Sequence, residues 1–98
     1  MKRFMVDIDF LGELDFKFWQ LIPAQRRLVN GLMKNGVISD YSLSIDRQKL
    51  WVVINADKLK EVKAVIESFP IRDYISYNIY SLLFHERNSI SVPQLWLN

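Results

Sequence analysis

The chain has no cysteine, one histidine, three glycines and three prolines in its 98 residues. Without cysteine there are no disulfides, no thiolate zinc site and no thiol catalysis. A lone histidine, His85, cannot build a histidine metal cluster, and no carboxylate spacing marks a mononuclear site, so no metal is expected. Gly12, Gly31 and Gly36 lie too far apart to form a phosphate-cradling loop, and no nucleophile-elbow string is present. No nucleotide or other cofactor is therefore expected. Neither sign of charge dominates: 13 basic and 11 acidic side chains leave a net charge of +2, well short of the basic stripe of a nucleic-acid binder. No 18-residue apolar run appears, and Met1 leads straight into an alternating pattern without an apolar leader core. The expectation is a soluble cytoplasmic protein, bound to neither membrane nor nucleic acid.

Half of the residues are apolar, and their patterning carries the fold. In "RFMVDIDF", Phe4, Val6, Ile8 and Phe10 alternate with Met5, Asp7 and Asp9, which predicts a first strand. Farther along, Ala24, Leu28 and Leu32 recur at every fourth residue, flanked by Val29 and Met33, which predicts an amphipathic helix. Pro23 suits its first turn and Gly36 its left-handed stop, leaving Leu14 to Trp19 as a separate turn or helix before the proline. Gly31 inside the helix costs about 1 kcal/mol relative to alanine, for which close packing on the sheet would compensate.

"ISDYSLSID" and "KLWVVINA" read as a hairpin turned at Arg47 and Gln48. Asp57 suits the cap of a second helix whose buried stripe is Leu59, Val62, Val65 and Ile66, ended by Phe69 and Pro70. In "FPIRDYISYNIYSLLFHE", Tyr74, Ser76, Asn78 and Tyr80 alternate with Ile75, Tyr77 and Ile79, the pattern of a last strand with a half-polar face. The order βαββαβ predicts a ferredoxin-like α+β domain over residues 1–86, with a four-stranded antiparallel sheet and two helices on one face. The other face, carrying Met5, Asp7, Asp9, Ser42, Ser44, Ser76, Asn78 and Tyr80 with Trp51 and Val53 or their neighbours, is left for a partner. Burying a few hundred Å² of apolar surface there contributes several kcal/mol at about 25 cal/mol per Å² before the cost of association. A homodimer is the economical expectation. Residues 87–98 end in "VPQLWLN", an apolar arm expected to pack on this domain or on a partner subunit.

The element order and three strings, "FMVDIDF", "DYSLSID" and "FPIRDYISYNIYSLLFHE", resemble the muconolactone isomerase-like family of dimeric α+β barrels over roughly Phe4 to Glu86. The resemblance implies a sheet-on-sheet homodimer, open to further assembly into a decamer, with a cleft for a small lactone or aromatic-derived acid and chemistry of the cofactor-free isomerase type. The chain departs from the isomerase pattern in "IPAQRR", where Gln25 stands in place of an acidic residue, and an amide is no carboxylate base. It also lacks the isomerase's aromatic-rich insert between the first helix and second strand.

The candidate catalytic residues are Asp7, Asp9, Tyr41 and His85. Asp7 and Asp9 share a strand face about 7 Å apart at roughly 3.3 Å per residue, a spacing open to paired acid and base roles or to two solvated carboxylates. Tyr41 reads either as a proton donor to a ligand or as a core tyrosine with its hydroxyl at the rim. His85 reads as a general acid or base, or as a surface histidine at a strand end. For ligand binding, Arg26 offers a bidentate clamp for a carboxylate, Trp19 and Trp51 offer stacking faces, and Asn78 and Tyr80 offer polar contacts from the last strand. RNA binding, which shares the βαββαβ order, requires aromatic, basic and glycine residues in the third strand, and "KLWVVINA" has one aromatic and no glycine. Two classes remain, a cofactor-free proton-transfer enzyme and a non-catalytic oligomer that binds a small ligand or serves as an interaction module.

Overall fold

A computed structural model describes residues 1–86; the expected C-terminal arm, 87–98, lies outside the described residues. The elements follow as β1 (Lys2–Phe10), α1 (Phe16–Lys34), β2 (Ile38–Leu43), β3 (Lys49–Ala56), α2 (Leu59–Glu67), a 3-10 turn (Arg72–Tyr74) and β4 (Ile75–Ser81). The strands form one antiparallel sheet in the order β2-β3-β1-β4. This is the ferredoxin-like arrangement, with the two longest strands, β1 and β3, paired at its centre.

Register divides the side chains between two faces. Val6 lies opposite Val52 on one side and Ile79 on the other, and Ile8 opposite Leu50 and Tyr77. These positions face the helices and join Phe18, Val29, Val62, Ile66 and Phe69 in a single core. One pleat over, Met5 meets Val53 and Tyr80, Asp7 meets Trp51 and Asn78, and Trp51 meets Ser42. The period-2 alternation of β1 is strict because only one of its faces is covered by helices.

Four local expectations are corrected. The helix does not begin at Pro23: α1 is one helix from Phe16, started by Asp15, whose Oδ1 accepts from Phe18 N at 2.9 Å. Pro23 lies within it on the exposed side, so the carbonyl four residues back, which loses its N–H partner, is left to solvent. Gly31 has no close neighbour, since a Cβ there would meet nothing within 4 Å, and nothing in the structure explains the residue. Asp57 is not the cap of α2. Instead the backbone N–H groups of Asp57 and Lys58 donate to Glu61 Oε1 at 2.8 and 3.2 Å, which holds the Glu61 carboxyl below its ordinary range. Tyr74 is not on the open face, because the 3-10 turn swings its ring onto Phe18, centroids 5.3 Å apart, and its hydroxyl donates to Asp15 Oδ1 at 3.3 Å.

Gly36 does take the left-handed conformation (φ 78°) past the end of α1, where its N–H and that of Val37 close onto Met33 and Leu32 carbonyls. The β2–β3 hairpin is tied by Asp46, whose Oδ1 accepts from Ser44 Oγ at 2.6 Å and Gln48 N at 3.0 Å. Those two bonds lower the Asp46 pKa. Arg47 follows in the left-handed region (φ 62°) and lines a cavity together with residues from the N-terminal half of α1.

Candidate functional site

The helix-facing side of the sheet holds a cavity of about 450 Å³ beneath α1. Trp19, Ile22 and Arg26 follow one another along one stripe of the helix at spacings of three and four, with Gln25 beside them. Tyr41 and Leu43 from β2 and Leu50 from β3 form the opposing wall, and Arg47 comes from the hairpin. Most of the lining is aromatic or aliphatic, with a few polar groups converging on it, the usual composition of a small-molecule site. The volume also falls in the ordinary range for such sites, about 300–1,000 Å³.

Phe18 organises one end. Its ring packs edge-on against Phe10 (5.8 Å), Trp19 (5.1 Å) and Tyr74 (5.3 Å), which fixes the base of the half-exposed Trp19 indole. Gln25 is 2 % exposed and is the one buried polar or charged residue among those described. Its Nε2 donates to the Tyr41 hydroxyl over a long 3.4 Å, while its Oε1 is enclosed with no hydrogen-bond partner. Burial raises the Tyr41 pKa, opposed more weakly by the bond from Gln25, so the phenol keeps its proton at neutral pH. Arg26 and Arg47 are exposed, and among the described residues neither guanidinium has an ion-pair partner. Among the described residues, no carboxylate and no histidine lines the cavity.

The residues proposed from sequence fall into three places. Trp19, Arg26 and Tyr41 come together in the cavity. Asp7, Asp9, Trp51, Asn78 and Tyr80 lie on the open face of the sheet. There Lys49 Nζ stands 2.8 Å from Oδ1 of both Asp7 and Asp9, and this pairing, with Asp7 first, raises the lysine pKa. Asp9 and Lys49 also line a shallower depression that shares Trp19 and Arg47 with the cavity, whereas Asp7 does not. His85 stands apart from both groups. Its Nε2 is 2.9 Å from Asp40 Oδ2 on β2, and its carbonyl accepts from Arg3 Nη1 at 3.0 Å. Asp40 lies opposite Val53 and Arg3 shares the face of Met5 and Asp7, so these two contacts bring the chain after β4 over the open face toward the β2 edge.

Sequence reasoning did not assign Gln25 or Arg47 to a site. Gln25 had a legible signal, a polar residue four before Val29 on the inner stripe of an amphipathic helix. Arg47 had none, since only the left-handed turn brings it to the cavity.

A four-stranded sheet with two helices on one face, and an apolar cavity between the longer helix and the sheet, defines a small α+β protein of ferredoxin-like fold. No protein-family model matches the chain, and no curated protein matches it in sequence. Among solved structures, the crystal structure of muconolactone isomerase at 3.3 Å resolution is similar, with a TM-score of 0.72 and 16 % identity over 91 % of this chain and 96 % of that one. The chain therefore has a muconolactone isomerase-like fold.

Proposed function

We propose that the protein is a ligand-binding member of this fold, a cytoplasmic homodimer that takes a small lactone or aromatic-derived acid into the cavity beneath α1. The observation that carries this reading is the polarity of the lining: beside an apolar chamber stand two guanidinium groups without an ion-pair partner among the described residues, and none of the described residues of its walls is a carboxylate or a histidine. Arg26 and Arg47 supply charge-assisted hydrogen bonds to a ligand carboxylate, and Trp19 supplies a flat apolar face for its ring. A protonated Tyr41 donates to a ligand oxygen and does not abstract a proton. Dimerisation through the open face is supported by its composition, with Trp51 and Tyr80 exposed among polar neighbours.

A second reading, cofactor-free isomerisation, draws on the adjoining depression that holds Asp9. In it Asp9 is the base and Tyr41 the acid, and Lys49 must release Asp9 before it acts. Calorimetric titration with a panel of small aromatic acids and lactones, followed through turnover assays, tests both. Binding without turnover, weakened by Arg26→Ala for carboxylates and not for neutral lactones, supports the binding protein. Turnover abolished by Asp9→Asn with binding intact would replace it with the enzyme. A panel that neither binds nor turns over would overturn both.

A further inference from the structure

We infer that the cavity selects a hydroxylated carboxylate, with the Gln25–Tyr41 pair as the element that recognises the hydroxyl group. The inference rests on the ligand-binding reading above and adds to it the class of ligand.

It starts from an incomplete hydrogen-bond set in a buried place. The Gln25 amide has two donor hydrogens and one acceptor oxygen, and the Tyr41 hydroxyl has one donor hydrogen and an acceptor oxygen. Between them they make one bond, 3.4 Å from Nε2 to the phenol oxygen. That leaves the phenol hydrogen available and Gln25 Oε1 enclosed without a donor. Turning the amide by about 180° exchanges the roles without completing the set, because the phenol then donates to Oε1 and the NH₂ group is left over. A neighbouring group that both donates and accepts completes the pair in either arrangement. A hydroxyl does this, whereas an ether, a halogen or a bare ring edge does not. Gln25 and Tyr41 both line the cavity, so a ligand seated along Tyr41 stands beside the pair.

The surroundings make the pair selective. Gln25 is nearly fully buried, so bulk water does not compensate its oxygen when a ligand without a hydroxyl fills the chamber. A site with buried polar groups rejects the analogue that leaves them unpaired more strongly than an apolar pocket rejects an added hydroxyl. The charged groups lie elsewhere in the lining, at exposed Arg26 and Arg47, so one ligand presents its carboxylate to the guanidinium groups and its hydroxyl to the pair.

The test uses the full chain and calorimetric titration with benzoate and its 2-, 3- and 4-hydroxy derivatives. At least one hydroxybenzoate should bind about tenfold or more tightly than benzoate, from the cost of an unpaired buried group. In Gln25→Met, which keeps the side-chain length and removes the amide, that preference should vanish while benzoate binding persists. Tyr41→Phe should also reduce it, and covers the case in which the methionine variant fails to fold. Equal affinity for all four acids in the wild type, or a preference that survives both substitutions, overturns the inference while leaving the ligand-binding reading standing. Failure of all four to bind overturns the inference, and failure of the lactones as well overturns the ligand-binding reading.

Discussion

Replacing Gln25 by methionine should make the protein more stable. The side chain is 2 % exposed, and its oxygen has no partner. An unsatisfied buried acceptor costs about 1–3 kcal/mol, and the substitution removes that cost. What is lost is one hydrogen bond to Tyr41, and at 3.4 Å it belongs at the low end of the net range of about 0.5–1.5 kcal/mol. Tyr41 is only partly buried, so its hydroxyl has access to water when the amide is gone. Methionine is close to glutamine in length and adapts to irregular gaps, so the packing term stays small. The balance is a gain of about 1 kcal/mol, equivalent to a rise of about 4–8 °C in Tm for a domain of this size. Urea unfolding with an unchanged m value, at one fixed protein concentration, reads the difference without confusing it with oligomer mass action. Gln25→Ala is the control, and it should destabilise, because it deletes the packing together with the amide. A methionine variant less stable than wild type by about 1 kcal/mol or more would refute the reasoning, since the amide would then be satisfied in solution. Higher stability bought with lost hydroxyl recognition is the trade expected where a site keeps polar groups unpaired for its ligand.

Alkaline titration followed by tyrosinate absorbance should show the phenols of Tyr41, Tyr74 and Tyr77 ionising above the ordinary tyrosine value near 10, and Tyr41→Phe should reduce that component by one phenol. Because the folded pKa is raised, the folded state holds the proton longer. The stability contribution is then complete below about pH 10 and is lost as pH rises through the folded value, so unfolding free energy should fall in that window less steeply in Tyr41→Phe. Lys49→Met leaves Asp7 and Asp9 as adjacent like charges on one strand face, so stability should drop at pH 7 and recover on acidification, with wild type as reference. Trp51→Glu places a charge in the middle of the open face, and native mass spectrometry should show the dimer converted to monomer; a wild-type monomer would remove the dimer proposal itself. Phe69→Ala should cost about 3–5 kcal/mol by urea unfolding, because the ring is completely buried between α2 and the 3-10 turn.

Strand identity and facing were legible in the sequence wherever one face had to be apolar. Val6, Ile8 and Ile79 were expected against the helices and lie there, and Asp7, Asp9 and Asn78 were expected on the other face and lie there. The errors were local, at ends and caps. Pro23 signals a helix start by its missing N–H, yet Asp15 starts the helix earlier, and an exposed proline eight residues in is tolerated. Asp57 has the right chemistry for a cap, but Glu61 reaches back to the same N–H groups. Of the candidate residues, Trp19, Arg26 and Tyr41 were legible as a set only by residue type. Tyr41 and Arg26 are 15 positions apart in the chain, and nothing in their spacing announces a shared wall.

Period-2 and period-3.6 patterning determined the βαββαβ order and the two faces of the sheet, because burial of apolar surface is a local demand that each element meets by itself. Tertiary structure decided which polar groups meet. Lys49 binds Asp7 and Asp9 because β3 lies antiparallel to β1 in one register, and a shift of one residue would turn them to opposite faces. Gln25 is left one hydrogen bond short, and Arg47 comes to the same chamber, because α1 and a left-handed hairpin turn converge over β2. Such meetings depend on distances between elements remote in sequence, and periodicity along the chain carries no record of them.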